Sequence, residues 1–480
     1  MLALLLWGLA PSGRAAANEG LAPCRVEGLR NQVLCGQVRR LLDPARLGAA
    51  TIDVHFIVVP ALARRKLPDP VFLLAGGPGQ SAIALAGATL GLFQRLGNRR
   101  ALVFVDQRGT GKSAPLYCDD TRGMPLAQQA DTETQLQRLI DCRRALQTLP
   151  HGDLRQFTTT LAMQDLDAVR ARLGAERINL VGASYGTRAA LEYQRQFPSR
   201  VRRLVLDGVA PPDMVLPVSA SADAQAAFDA LLADCAAQAD CARAHPQLRD
   251  DWAQLLSRLP RRATLAHPLT GVPQELTLTR EMVLGAVRAP LYSPALAAAL
   301  PFAVSEAARG RFTALLGLSL PLAGRKSMRI AEGMHYAVLC AEDAPRVGAG
   351  ALGSTPPGAD FGDGAMRTLA RICADWPRGE VPHEFYAVTQ STAPALLLSG
   401  GRDPATPPRH AQRVAAQLGA KARHVVVAHA GHGVLAIPCL RDVLFRFIDA
   451  DDDAALEVDA RCVDALPPAR AFQPVTGPGG

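Results

Sequence analysis

Asn179–Arg188 reads NLVGASYGTR, in which Ser184 stands between two glycines directly after an apolar run. Residues 182–186 match the pattern G-x-S-x-G, and the match follows the strand-like Ile178–Val181 and opens a helical pattern. A sharp strand-to-helix turn strains the backbone at the serine, and flanking glycines remove side chains that would clash there. The stretch therefore predicts a serine hydroxyl presented at the carboxyl edge of a sheet, beside a helix N-terminus that favours negative charge.

Runs of strand length recur on both sides of this turn. Most are continuous apolar segments bounded by Gly, Pro or Asp, as expected for strands of a parallel sheet that is covered on both faces. Between them, Leu161–Leu173 and Thr187–Gln196 have helical periodicity, which makes a β-α-β pattern. We predict strands over Thr51–Pro60, Val71–Leu74, Leu102–Val105, Ile178–Val181, Val201–Leu206, Ala395–Ser399 and His424–Ala428.

The middle of the chain has a different character. It is rich in Ala and Leu, mostly helical in period, and lacks the alternation of strand and helix. A chain of 480 residues exceeds the usual size of one domain, and a core with an insertion fits this pattern better than two independent domains. The predicted class is α/β, with a mostly parallel sheet, helices on both faces and a helical cap insertion. The predicted segments are a signal peptide (1–17), the two parts of the core (18–211 and 383–466), the cap (212–382) and a flexible tail (467–480).

Charge and composition limit the classes of function. The hydrophobic fraction of 49% and the charged fraction of 20% are those of an ordinary globular protein. A net charge of +8 would allow an anionic partner, but the basic residues are spread as short pairs such as Arg39-Arg40. No basic run with interleaved aromatics is present, so nucleic-acid binding is not expected.

The first residues and the cysteines both indicate export. Met1–Ala17 has an apolar run, a Pro-Ser-Gly break and a small-residue end, which is typical of a secretory signal peptide. The run is shorter than the roughly 20 apolar residues of a membrane-spanning helix, and no later segment is a candidate span. All ten cysteines follow it, and an even number in an exported chain indicates disulfides. We therefore predict a periplasmic or secreted protein.

The cysteine spacing leaves the connectivity open. None of the cysteines forms C-x-x-C, which argues against zinc and thioredoxin-like sites. The simplest hypothesis joins neighbours in sequence, giving 24–35, 118–142, 235–241, 340–373 and 439–462.

A serine hydroxyl needs a base to become a nucleophile, and the base needs an orienting carboxylate. In α/β-hydrolases the chain order is serine, acid, histidine, so both partners should follow Ser184 in loops after strands. Asp403 comes after the strand ending in LLLSG, and His432 comes after the strand HVVVA. The predicted triad is Ser184, Asp403 and His432.

Each partner has an alternative. His429 lies three residues before His432, but His432 is flanked by glycines that suit an exposed imidazole. Asp207 follows the strand RRLVL and is the second candidate for the acid.

An oxyanion hole needs backbone N–H groups from the residue after the nucleophile and from an early strand–helix loop. Tyr185 supplies the first. The loop Ala75–Gly79 follows the strand VFLL, and we assign the second to Gly77 because Pro78 has no N–H group. The same glycines do not fit the pattern of a phosphate-binding loop.

Three segments together carry a resemblance to a known family. GGPG at 76–79, DQRGTGKS at 106–113 and GASYG at 182–186 resemble the α/β-hydrolase serine peptidases that include prolyl and tripeptidyl aminopeptidases. Prolyl aminopeptidases typically have His before GGPG and Trp after the nucleophile, whereas this chain has Ala75 and Tyr185. With its cysteines, its export signal and its long insertion, the sequence looks most like the secreted tripeptidyl-aminopeptidase branch.

The resemblance implies the α/β-hydrolase fold and an exopeptidase that releases short N-terminal fragments from peptides with a free N-terminus. Recognition of the free α-amino group calls for a carboxylate near the cleft. The segment Met334–Asp343 resembles the part of the family that returns from the cap, so Glu342 and Asp343 are candidates, with a solvated acidic pair as the alternative reading. This chemistry requires no metal and no organic cofactor.

Two other functions stay open. An exported carboxylesterase would use the same triad on an acyl ester, and a binding protein on a hydrolase fold would use no triad at all.

Overall fold

The computed structural model describes residues 20–46, 48–267, 269–318, 329–347 and 359–473. The predicted signal peptide and residues 474–480 of the predicted tail lie outside these ranges.

A central sheet organises the fold. Its strands are β1 (Ala22–Cys24), β2 (Val33–Leu41), β3 (Thr51–Val59), β4 (Val71–Leu74), β5 (Leu102–Val105), β6 (Ile178–Ala183), β7 (Val201–Asp207), β10 (Ala395–Gly400) and β11 (Ala422–Val427). Their spatial order is β1-β2-β3-β5-β4-β6-β7-β10-β11. From β5 to β11 each neighbouring pair is parallel, whereas β1, β2, β3 and β5 pair antiparallel. The predicted mostly parallel sheet is confirmed, and each predicted strand lies within two residues of its predicted bounds.

The α-helices of the described ranges lie between the strands or after the last strand of the chain. They are α1 (Ala82–Thr89), α2 (Leu126–Ala130), α3 (Thr132–Gln147), α4 (Thr159–Arg172), α5 (Tyr185–Gln196), α6 (Leu216–Ala237), α7 (Ala239–Ala244), α8 (Leu248–Ser257), α9 (Arg280–Leu291), α10 (Pro294–Ala297), α11 (Leu300–Ala308), α12 (Thr313–Gly317), α13 (Glu332–Val338), α14 (Gly364–Cys373), α15 (Pro408–Leu418) and α16 (Pro438–Asp449). None of the helices in this part of the chain is long and apolar enough to cross a membrane.

The two faces of the sheet carry separate hydrophobic clusters. Because successive side chains of a strand point to opposite faces, Phe72 and Leu74 of β4 join one cluster, whereas Val71 and Leu73 join the other. Helices α4, α5 and α15 cover the first face, and α1 and α16 cover the second. Coverage on both faces explains why these strands are continuously apolar in sequence.

Much of the segment between β7 and β10 forms a third hydrophobic cluster, built around Phe228 and Trp252. It is not wholly helical, since β8 (Arg261–Ala266) and β9 (Pro273–Leu278) form an antiparallel hairpin that the sequence analysis missed. From Ala331 onward, α13 and α14 pack largely with the cluster of the main sheet. Phe361, which precedes α14, still belongs to the cap cluster, and the predicted boundary at residue 382 remains a prediction.

Ion pairs join the cap to the core. Three aspartates that lie on α6 or just before it pair with basic residues on or near α15. The pairs are Asp213 with Arg413, Asp223 with Arg409 and His410, and Asp234 with Arg402. The guanidinium of Arg402 contacts Asp234 at 2.8 Å, which links the cap to the loop that follows β10.

The structure contains five disulfides, and they join the cysteines that are neighbours in sequence: 24–35, 118–142, 235–241, 340–373 and 439–462. This pairing confirms the simplest hypothesis. Disulfides are typical of proteins that mature outside the reducing cytosol.

The described part of the predicted tail, residues 467–473, contacts the cap. The N–H of Phe472 donates to the carbonyl of Ala298 at 2.8 Å, and its ring lies 5.6 Å from that of Phe302. This stretch therefore has defined partners on α10 and α11.

Candidate active site

Ser184 occupies the turn between β6 and α5. Its φ of +55° and ψ of −125° lie outside the regions that a residue with a side chain normally adopts. The flanking glycines are required by close approach, because a Cβ on Gly182 would lie 2.3 Å from the carbonyl oxygen of Gly186. A Cβ on Gly186 would lie equally close to the carbonyl oxygen of Leu74. The turn therefore has the strained geometry of a nucleophile elbow.

Asp403 and His432 meet at the ends of β10 and β11. The Oδ2 atom of Asp403 lies 2.8 Å from Nδ1 of His432. Asp403 is 2% exposed, and its Oδ1 atom accepts hydrogen bonds from the backbone N–H groups of Ala405 and Thr406 at 2.8 and 2.9 Å. The structure thus places the predicted acid in contact with the predicted base.

The two groups perturb each other. Burial alone would raise the pKa of Asp403, but the nearby imidazole and the hydrogen bonds outweigh it and lower that pKa. Burial alone would lower the pKa of His432, but the charge of Asp403 and its hydrogen bond outweigh it and raise that pKa above its ordinary value. The carboxylate therefore stays ionised and can stabilise an imidazolium.

The end of β7 links the serine to the histidine. The N–H of Ser184 donates to the carbonyl oxygen of Asp207 at 2.9 Å. At the next residue, Gly208, a Cβ would lie 3.1 Å from Cε1 of His432. Ser184 and the imidazole of His432 therefore both lie close to the end of β7.

The alternative acid has other partners. The carboxylate of Asp207 accepts hydrogen bonds from the backbone N–H groups of Val434 and Leu435 at 2.9 and 3.0 Å. Burial raises its pKa. Asp207 therefore anchors the chain just after His432. The alternative base, His429, lines an apolar cavity together with Leu231 of the cap.

Thr406 is a site residue that the sequence analysis did not identify. Its hydroxyl donates to Oδ2 of Asp403 at 2.7 Å and lies 3.1 Å from Nδ1 of His432. The available signal was the Asp-x-x-Thr spacing, which allows an aspartate to accept from a backbone N–H three residues on.

The two backbone segments that carry the predicted oxyanion donors lie next to Ser184. Tyr185 opens α5, where the first N–H groups of a helix have no acceptor within it. The loop after β4 also comes close, since a Cβ on Gly76 would lie 3.1 Å from Cβ of Ser184. Gly77 follows with a φ of +113°. The assignment of its N–H group remains a prediction.

The chain that returns from the cap holds this loop. The N–H of Ala331 donates to the carbonyl oxygen of Gly79 at 2.9 Å. Nδ1 of His335 lies 3.0 Å from the carbonyl oxygen of Pro78, an acceptor that requires a proton on this nitrogen. Burial lowers the pKa of His335, which favours the neutral ring.

The predicted amino-group ligands, Glu342 and Asp343, are buried next to α5. The guanidinium of Arg188 contacts Asp343 at 3.0 Å and Glu342 at 3.6 Å. Glu342 also accepts from the N–H of Thr159 at 2.8 Å, and burial raises its pKa to about 7. The two carboxylates thus form an ion network with the helix of Ser184. Contact with a substrate would require the network to open, and this role remains a prediction.

No group of three or more potential metal ligands occurs in the described ranges. The chemistry that these residues support is nucleophilic acyl transfer by a serine.

A family model described as "alpha/beta hydrolase fold" matches residues 69–436, which is most of the chain and includes Ser184, Asp403 and His432. The chain belongs to the α/β-hydrolase family. The predicted family and fold are both confirmed.

Known relatives of this α/β-hydrolase include peptidases. It is 27% identical over 435 residues to serine protease Hip1 of Mycobacterium tuberculosis, covering 82% of each chain. It is 28% identical over 407 residues to the tripeptidyl aminopeptidase of Streptomyces coelicolor, covering 76% of this chain and 71% of the relative. A 71-residue match to the proline iminopeptidase of Xylella fastidiosa is 35% identical but covers only 15% of this chain. The protein is a serine hydrolase.

Proposed function

We propose that this serine hydrolase is an exported aminopeptidase that releases short N-terminal fragments, chiefly tripeptides, through an acyl-enzyme on Ser184. The proposal rests on the contact between Asp403 and His432 beside the elbow of Ser184. The match to a tripeptidyl aminopeptidase over most of the chain supports the class of substrate.

In the proposed reaction, Oγ of Ser184 attacks the carbonyl carbon of the scissile peptide bond while His432 accepts the hydroxyl proton. The resulting imidazolium gives this proton to the leaving amine, and the carbon–nitrogen bond breaks to leave an ester on Ser184. Water then attacks the ester with His432 again as the base, and the imidazolium returns the proton to Oγ of Ser184 as the carbon–Oγ bond breaks and the N-terminal fragment leaves with a free carboxyl group. Asp403 holds the imidazole in the required tautomer and stabilises its charged form.

The negative charge of each tetrahedral intermediate needs donors that are already in place. We assign this role to the backbone N–H groups of Tyr185 and Gly77. The N-terminus of α5 adds a favourable dipole at the same place. The contacts of Ala331 and His335 with the neighbouring glycine-rich loop hold the second donor without a contribution from the substrate.

An aminopeptidase must also bind the free α-amino group of its substrate. Glu342 and Asp343 are our candidates for this role. Both oxygens of Asp343 are within 3.3 Å of Arg188, whereas Oε2 of Glu342 has no hydrogen-bond partner among the described residues. Glu342 is therefore the better placed of the two to accept an ammonium group if the network opens.

Export is part of the proposal. Its support is the signal-like pattern over residues 1–17 and the five disulfides, which persist in oxidising compartments such as the periplasm or the extracellular medium.

The test is hydrolysis of chromogenic Ala-Pro-Ala, Ala-Ala and Pro anilides, each with a free and an acetylated N-terminus. We expect cleavage of the free tripeptide anilide, loss of cleavage on acetylation, and loss of all activity in Ser184→Ala. Ser257→Ala, an exposed serine on α8, is the matched control and should retain the native rate.

Two results would reject the proposal in different ways. Turnover of short acyl esters with no cleavage of any anilide would identify an exported carboxylesterase that uses the same triad. Failure of a fluorophosphonate probe to label Ser184 would identify a binding protein without hydrolase activity.

A further inference from the structure

One residue of the cap contacts the catalytic histidine twice. Tyr292 directly follows α9, and its carbonyl oxygen accepts the backbone N–H of His432 at 2.9 Å. Its ring also meets the imidazole edge to face, with 5.1 Å between ring centroids and 70° between ring planes. Edge-to-face is a favoured arrangement of two π-systems.

Groups of the core also contact this imidazole. Nδ1 is held by Asp403 and Thr406, and Gly208 lies beside the edge formed by Nδ1 and Cε1. A Cβ on Gly208 would come within 3.1 Å of that edge, so the backbone just after β7 runs close to the ring. Tyr292 supplies the contact that comes from the cap.

The backbone fit is equally close. A Cβ on Gly431 would lie 2.4 Å from the carbonyl oxygen of Tyr292, so the loop that carries His432 can approach the cap only because a glycine stands there. The hydroxyl of Tyr292 accepts a hydrogen bond from Arg288 of α9 at 3.3 Å, which helps to hold the tyrosine ring in this position. The glycine before His432 thus permits a close contact between this loop and the cap.

We propose that Tyr292 is a positioning residue for His432, whose ring and carbonyl hold the imidazole in its working orientation, so that the cap completes the catalytic site. This inference rests on the proposed triad but does not depend on whether the substrate is a peptide or an ester.

The contact has two expected consequences. Without the ring, the imidazole can rotate away from Ser184, and misplacement of a catalytic group slows the reaction sharply. Water also reaches the imidazole and stabilises its charged form, so the pKa of His432 should rise. The charged groups acting on His432 are Asp403 and Asp207, which raise its pKa, and Arg288, which lowers it.

The test measures the rate constant for fluorophosphonate labelling of Ser184 from pH 5 to 9, which requires no knowledge of the natural substrate. In Tyr292→Leu we expect labelling at the plateau to slow by about 10-fold or more, and the acid limb to move to higher pH by about half a unit. Tyr292→Phe keeps the ring and should recover most of the rate. Because it also loses the acceptor for Arg288, it separates the effect of the ring from that of the guanidinium.

Phe302→Leu is the matched control, since Phe302 of the cap makes a similar edge contact, at 5.6 Å and 70°, with Phe472 of the tail. It should keep the native rate and the native acid limb. The amplitude of labelling reports the folded fraction, so a loss of folding is distinguished from a slower reaction. Tyr292→Met, which keeps much of the volume, serves as the second variant if Tyr292→Leu does not fold.

The outcomes are separable. If the native protein is labelled and both Tyr292→Leu and Tyr292→Met react at the native rate with the native acid limb, the positioning role is refuted and the triad stands. If the native protein is not labelled at Ser184, the triad proposal fails and this inference fails with it.

Discussion

Replacing the buried aspartates Asp403 and Asp207 with asparagine, one at a time, should distinguish a role in catalysis from a role in stability. The carboxylate of Asp403 contacts the imidazole of His432, whereas the hydrogen bonds of the Asp207 carboxylate within the described residues come from backbone N–H groups that follow His432. Both stand at the ends of neighbouring strands, and both are candidates for the triad acid by sequence. We expect Asp403→Asn to impair catalysis and Asp207→Asn to impair stability.

The magnitudes follow from the contacts. An amide at residue 403 cannot hold the imidazole in the tautomer with a proton on Nδ1 while stabilising its positive charge, which lowers kcat by about 10⁴-fold in such triads. This corresponds to about 5 kcal/mol of transition-state stabilisation. An amide at residue 207 keeps one acceptor oxygen but turns an NH₂ group towards the second backbone N–H. The loss of one hydrogen bond to a charged acceptor costs about 2 kcal/mol of unfolding free energy.

The assay combines kcat for p-nitrophenyl acetate or an active anilide with urea unfolding of each variant. Asp403→Asn should lose about 10⁴-fold in kcat. Asp207→Asn should lose about 10-fold at most, through displacement of the loop, and should unfold at lower urea. The opposite pattern, a loss of about 10³-fold or more in Asp207→Asn with unchanged unfolding, would show that our assignment of the acid is wrong.

Further predictions concern pH, hydrogen bonding and stability. Because His432 must be neutral to accept a proton and its pKa is raised, the acid limb of kcat/KM should lie above pH 6.5; a midpoint below that value would contradict the geometry. Thr406→Val removes the hydroxyl that holds the acid and should lower kcat by about 10-fold, with KM little changed, in steady-state assays. Burial raises the pKa of Glu342 to about 7 in the folded protein, so as the pH rises this carboxyl ionises in the unfolded chain before it ionises in the folded one. The free energy of unfolding should therefore fall between about pH 4.5 and pH 7. In Glu342→Gln, urea unfolding at both pH values should show up to about 3 kcal/mol less of this fall in unfolding free energy. An unchanged pH dependence would show that Glu342 is not its cause. Replacing the cysteines of the 340–373 disulfide with alanine should cost about 4 kcal/mol by loop-closure entropy, and a loss below about 1 kcal/mol would show that the unfolded chain is already constrained there.

Much of the core was predictable because its strands are buried on both faces. The segments VFLL and LVFV are continuously apolar, which is typical of strands that are covered on both faces. Their predicted bounds agree with β4 and β5. By contrast, β2 reads VLCGQVRRL and pairs near one edge of the sheet, with several side chains partly exposed. Its two arginines and its glycine conceal the strand, which only its antiparallel partners define.

The residues of the candidate site also divide into those that the sequence predicted and those that it did not. Ser184, Asp403 and His432 could be predicted because each follows a strand, and parallel strands deliver their carboxyl ends to one edge. Tyr292 could not, because its contact with His432 depends on how the cap folds back over the core. Likewise, the sequence around Glu342 and Asp343 did not reveal that the buried Arg188 of α5 contacts both carboxylates.

The arrangement of the disulfides bears on how the chain matures. Each pair closes before the next one begins, so no covalent loop encloses or crosses another. For a chain that leaves the cytoplasm amino-terminus first, the first cysteine of each pair therefore meets its native partner as the next cysteine to emerge. Oxidation in order of arrival would give the correct set of bonds without an isomerase to reshuffle them.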